Sequence, residues 1–134
     1  MNGGAHLLLG LFPVLLFLVA LLLLDSFKLV RHLDVAKSVG AGMLAAVASL
    51  GVNVALMKLG GVSPETLQRF LGPLVEELIK AALAVWLIRT RRVGFLVDAA
   101  IHGFAVGTGF ALLENIYYAR ALGDAGIALW LVRG

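Results

Sequence analysis

From Leu7 to Leu24 the chain runs 18 residues without a charge, and from Ser38 to Met57 it does so again over 20. At about 1.5 Å per residue in a helix, each run approaches the roughly 30 Å of a bilayer's hydrocarbon core. These runs decide the solvent. A soluble domain is about 45 to 50% apolar and about 25% charged. This chain of 134 residues is 61% hydrophobic and 14% charged, with a mean hydropathy of +1.01, and it has too little interior to hide the excess. The fold class this predicts is all-α, a polytopic transmembrane helix bundle whose main partner is the lipid bilayer. There is no cysteine, which excludes disulfides, thiolate metal sites and cysteine nucleophiles. The net charge is only +3, with Lys and Arg scattered between apolar runs, so no nucleic-acid partner is expected.

No Lys or Arg precedes Leu7, and Asp25-Ser26-Phe27-Lys28 offers no small-residue cleavage site, so the first run reads as a retained span rather than a signal peptide. The second, rich in Gly, Ala and Ser, reads as a span that packs closely on neighbours. Gly60-Gly61 then breaks the chain, and Ser63-Pro64-Glu65 reads as a helix start, with a serine cap, proline in the first turn and a carboxylate at the positive end of the dipole. Gly72-Pro73 reads as another interruption, leaving Pro64 to Leu71 as a separate interfacial or re-entrant segment. A third span follows from Phe70 or Pro73 to Ile88, stopped by Arg89, Arg91 and Arg92. A fourth runs from Val93 to Ala119, and Gly126 to Val132 reads as the start of a fifth. About four spans plus an incomplete fifth make residues 1–134 a single transmembrane domain, expected to be the N-terminal part of a longer one.

Lys28, Arg31, Lys37, Arg89, Arg91 and Arg92 fall on one side of this topology, and Lys58, Arg69 and Arg120 on the other. The positive-inside rule makes the first side cytoplasmic and the N-terminus external. Asp25 to Lys37 is expected along the cytoplasmic surface, and Trp86, Tyr117, Tyr118 and Trp130 in interfacial aromatic belts.

Six ionisable residues fall inside predicted spans: Glu76, Glu77, Lys80, Asp98, His102 and Glu114. An acid or Lys at the bilayer centre costs roughly 2.5 to 3.5 kcal/mol, so the five besides His102, left unpaired, would cost on the order of 12 to 17 kcal/mol. Lys80 can pair with Glu76 or Glu77 at helical spacing, and Asp98 with His102. Glu76 and Glu77 on the inward-running third helix, and Glu114 on the outward-running fourth, reach a similar depth below the outer face. Glu114 also projects from the stripe Gly103, Gly107, Ala111, where a close helix contact is expected. A purely structural role for these charges is the competing reading, but intramembrane ionisable groups are more often functional.

Glu76-Glu77-Leu78-Ile79-Lys80 matches an EExxK motif, and Phe110-Ala111-Leu112-Leu113-Glu114-Asn115 matches FxxxEN. EExxK alone is common on ordinary helices; the ordered pair on successive spans is more specific. Over residues 70–120 the chain resembles the PrsW family of intramembrane proteases, which shares a wider superfamily with the CAAX prenyl endopeptidases. The resemblance implies a multi-spanning prokaryotic inner-membrane peptidase acting on membrane proteins such as anti-sigma factors. Glu76 and Glu77 would form its catalytic pair with Glu114, supported by Lys80, Asn115, Asp98 and His102. The family's later histidine motif is not present in the 134 residues, and none of His6, His32 or His102 stands where it belongs, so these residues are expected to be catalytically incomplete.

Peptide hydrolysis needs an activated water and stabilisation of a tetrahedral oxyanion. A carboxylate taken out of water holds a proton more tightly and so suits a general base. Glu76 is the best candidate for that base, with Glu77 orienting it or sharing its proton. The cofactor is left unknown. Carboxylates with one histidine can bind zinc, but without the later histidine the ligands fall short of the usual three, and no metal ligand is assigned. Two alternatives stand beside the protease: an ion-coupled transporter module, with the same charges as a proton or cation path, and a non-catalytic membrane scaffold.

Overall fold

The structure is a computed structural model that describes residues 3–24, 30–90 and 96–122. Among these residues every element is helical: α1 (Gly3–Leu24), α2 (His32–Lys58), a one-turn α3 (Pro64–Thr66), a π-helical turn (Leu67–Leu71), α4 (Gly72–Thr90) and α5 (Leu96–Leu122). Two of them, His32–Lys58 and Leu96–Tyr118, are long and apolar enough to cross a membrane; α1 is apolar over Gly10–Leu23. Large apolar side chains face outward all round, among them Phe12, Leu23, Leu44, Phe70 and Leu96. A water-soluble monomer does not carry that much continuous apolar surface. This is a membrane protein.

Two expectations about helix limits change. Residues His32–Lys37 belong to the first turns of α2, which starts from extended backbone at Arg31, so this part of the expected surface segment is helix; residues 25–29 lie outside the described residues, as does the expected fifth span. Second, Gly72-Pro73 does not interrupt the chain. The Gly72 amide donates to the Leu67 carbonyl five residues back. A π turn thus carries the helix past Pro73, which has no amide hydrogen to give and whose ring crowds the preceding turn. Gly72 is required there, because a Cβ on it would come within 2.8 Å of the Leu67 carbonyl oxygen. The expected start at Ser63 is present: its hydroxyl accepts from the Thr66 amide at 3.3 Å, and Pro64 opens the helix.

Helices α2 and α5 form the centre and run parallel, since contacts advance along both together: Ser38 with His102, Gly42 with Val106, and Ala45 and Ala46 with Phe110. The approach is backbone to backbone. A Cβ on Gly42 would collide with the Val106 carbonyl, and one on Gly109 with the Val39 carbonyl. This corrects the expected stripe, because a Cβ on Gly103 or Gly107 would meet nothing within 4 Å. The close contact uses one glycine from each helix, and Gly109 points about 140° away from Glu114 around α5. Helix α1 packs on the other flank of α5, with Leu18 against Ile101 and Ala105 and the Phe17 and Phe104 rings 4.7 Å apart.

Candidate active site

Helix α4 lies antiparallel to α5. Ile79 and Leu83 pack against Ala45, Ala46 and Phe110, and the Lys80 ammonium sits 4.2 Å from the centre of the Phe110 ring. The same ammonium pairs with Glu77 Oε1 at 2.8 Å, one of the two pairings its spacing allows. The lysine of EExxK therefore touches the phenylalanine of FxxxEN, which joins the two motifs physically. A cation over an aromatic face contributes about 0.5 to 1 kcal/mol at exposed sites and more when desolvated, so this contact helps hold the register of α4 on α5.

One turn away from that clasp the helices part around a cavity of about 420 Å³, within the usual range for small-ligand sites. Glu76 lines it from α4 and Glu114 from α5, and neither is without a partner. Both carboxylates are half-buried. The π turn brings Leu67 and Gln68 to the same wall. Of the other sequence-derived candidates, none lines the cavity. Glu77 is exposed and held by Lys80. Asn115 is 5% exposed but faces another side of α5. Asp98 and His102 lie about three to four turns toward the opposite end of α5, and His102 Nδ1 bonds Ser38 Oγ of α2 at 2.8 Å. The Ser38 hydroxyl in turn donates to the Asp34 carbonyl at 3.0 Å.

The sequence reading missed most of the wall, four of its polar residues on α2 and α5 among them. Tyr117 and Tyr118, assigned to an aromatic belt, line the cavity, their rings edge to face at 5.5 Å. Ser49 and Asn53 of α2 line it too. Their signal is present as periodicity: at 100° per residue Ser38, Gly42, Ala45, Ser49 and Asn53 fall within about 80° of one another, a polar and small face on an otherwise apolar helix.

The site thus combines two carboxylates from different helices, hydroxyl and amide groups around them, and an apolar surround that strengthens every electrostatic interaction inside it. Two carboxylates with hydroxyl and amide groups around one cavity are groups suited to proton transfer or hydrolysis. Compared with models of known protein families, residues 32–134 match the PrsW family intramembrane metalloprotease. The chain belongs to that family, which makes it an intramembrane protease in general type. Nothing matches among curated proteins or solved structures.

The family's description implies a metal, and the donors present can be tested for one. Among the described residues no group of three or more His, Cys, Asp and Glu could hold an ion, whereas a catalytic zinc takes three protein ligands. The cavity offers oxygen donors from Glu76, Glu114 and Asn53, and the described His102 is held by Ser38 elsewhere. These residues do not make up a zinc site, and the mechanism below draws only on the chain's own groups.

Proposed function

We propose that this protein hydrolyses a peptide bond of a membrane-anchored protein at the cavity between α2, α4 and α5, with water activated by Glu76. The observation that carries the reading is that Glu76 and Glu114, one from each motif, line a single cavity. Glu76 takes a proton from water as the oxygen attacks the carbonyl carbon. The proton then passes to the leaving amine as the C–N bond breaks. Glu114 orients the water from the facing helix, and a cavity-wall hydroxyl such as that of Tyr117 donates to the oxyanion. Glu77 and Lys80 act one step back, as the pair that sets α4 on Phe110. Asn115, Asp98 and His102 serve the packing of α5.

The same reading proposes that α1, α2, α4 and α5 each cross the bilayer. The parallel course of α2 and α5 with α4 antiparallel between them supports this, because the chain must return across before α5 begins. Arg31 and Arg89 would lie on the cytoplasmic side of a prokaryotic inner membrane, the N-terminus outside. The substrate class is a single-pass membrane protein of the anti-sigma-factor kind. The test is cleavage of single-pass reporters by full-length protein in proteoliposomes. Loss of product with Glu76→Gln and with Glu114→Gln, at unchanged melting temperature, is expected; solute or proton flux in sealed vesicles without cleavage would favour an ion-coupled transporter.

A further inference from the structure

Two of the cavity-wall residues from α2 carry polar atoms that nothing satisfies. Ser49 Oγ and Asn53 Oδ1 are buried and have no hydrogen-bond partner. Ser49 as a whole is 1% exposed. Both residues lie on the wall of the cavity that Glu76 and Glu114 line, and at i and i+4 they sit one above the other on one helix face. Leaving a buried donor or acceptor unpaired costs about 1 to 3 kcal/mol, so two of them side by side in a packed helix demand a reason. The other hydroxyls in the helix interiors show the usual solution. Ser38 reaches the Asp34 carbonyl at 3.0 Å and Thr108 the Phe104 carbonyl at 2.9 Å. Ser49 makes no such bond, although the Ala45 carbonyl stands at the same spacing.

The Asn53 amide is also oriented. Its Nδ2 lies 3.8 Å from the place a Cβ would occupy on Gly72, toward the end of the π turn, which leaves Oδ1 as the end without a partner. The two residues therefore present a hydroxyl that donates and a carbonyl oxygen that accepts, one helical turn apart. That is the complement of a peptide main chain, which offers a C=O and an N–H. A transmembrane substrate has its main-chain groups bonded within its own helix, and unwinding it for cleavage frees them in an apolar setting where they need new partners.

We infer that Ser49 and Asn53 form a main-chain binding ledge for the unwound substrate segment, Ser49 Oγ donating to a substrate carbonyl and Asn53 Oδ1 accepting from a substrate amide. The inference rests on the reading of the cavity as the substrate site and adds to it the groups that hold the extended chain. The ledge accounts for both orphans at once: they are unpaired in the free protein because their partners arrive with the substrate. It also makes binding insensitive to substrate side chains at that point, since only main-chain groups are read.

The test pairs a stability measurement with a binding measurement. The probe is a fluorescent Leu/Ala transmembrane peptide with a glycine-weakened centre, and the same peptide with ester bonds replacing central amides. Binding is measured in nanodiscs with full-length protein carrying Glu76→Gln, so that no cleavage intervenes. Ser49→Ala and Asn53→Leu should each leave the melting temperature unchanged or raise it, because each removes an unsatisfied group. Each should weaken binding of the amide peptide about five- to tenfold. The ester peptide should bind about as weakly to the unsubstituted ledge as the amide peptide does to Asn53→Leu, and combining the two changes should add nothing. Lower melting temperatures would assign the residues to packing and overturn the inference. Amide and ester peptides binding alike, or binding indifferent to both substitutions, would overturn it while leaving the substrate cavity in place. No binding of the peptide by any chain, with stability raised as expected, would bring down the cavity reading and the ledge together.

Discussion

The two ends of the α2–α5 seam are built from the same pair of parallel helices and do opposite things. At one end the helices touch backbone to backbone through Gly42 and Gly109, and the polar groups caught between them, Ser38 and His102, bond each other at 2.8 Å. At the other end α4 packs against both helices, Lys80 sits over Phe110, and beyond them Ser49 Oγ and Asn53 Oδ1 are left without partners on the wall of a cavity that two carboxylates line. Close approach needs glycine and full satisfaction of polar groups; a cavity needs neither. The closed end fixes the helix pair so that the open end can hold groups whose costs are met only when substrate is present, a division expected where binding sites draw on the least stable part of a fold.

The largest effect should come from closing the closed end too tightly. Gly42→Leu or Gly109→Leu sets a side chain against a carbonyl of the facing helix and should cost several kcal/mol, on the scale of severe overpacking. Folded protein would then be lost in detergent, as size-exclusion chromatography would show. Gly107→Ala is the contrasting substitution. It meets open space and should leave the melting temperature unchanged or raise it, since alanine is favoured over glycine in a helix by about 1 kcal/mol.

Next is Ser38→Ala, which removes the hydroxyl bonded to His102 Nδ1 and should cost about 0.5 to 1.5 kcal/mol in thermal unfolding. If melting does not change, the seam's closed end is not held by that bond. Smaller still is Lys80→Met, which loses a cation over Phe110 and a pair with Glu77 and should cost about 0.5 to 1 kcal/mol. Glu77→Gln should fall at the bottom of the order, within about 0.5 kcal/mol, because its ion pair lies on the outer surface of the helix bundle. A cleavage defect in Glu77→Gln as deep as that of Glu76→Gln would move Glu77 into the reaction and break the assignment made from the cavity wall.

Much of this architecture is legible in the order of the residues. Charge-free runs announce the long helices because lipid tolerates little else, and Ser63-Pro64 announces a helix start because cap and proline chemistry are local. The motif glutamates are legible because charges inside spans are costly and so stand out. What is not legible depends on rotation and on a second helix. Gly103 and Gly107 look like a contact stripe as strongly as Gly42 and Gly109 do; only the facing backbone selects between them. Gly72-Pro73 reads as a break because proline denies an α-helical bond, and the π turn that bridges it has no sequence signature of its own. Ser49 and Asn53 carry no charge and so escape a search for costly groups, although their cost is incurred in hydrogen bonds instead. Glu77 and Glu76 are adjacent in sequence and about 100° apart on the helix, which is why the motif names both and the cavity takes one.

The most direct measurement compares cleavage rate and melting temperature across the seam in one reporter assay with full-length protein. Glu76→Gln and Glu114→Gln, at the open end, should lower the rate by about 10² to 10³ without lowering the melting temperature. Ser38→Ala, at the closed end, should lower the melting temperature and leave the rate near that of the unsubstituted protein when measured well below the transition. Cleavage that survives Glu76→Gln and Glu114→Gln together would contradict the account at its centre.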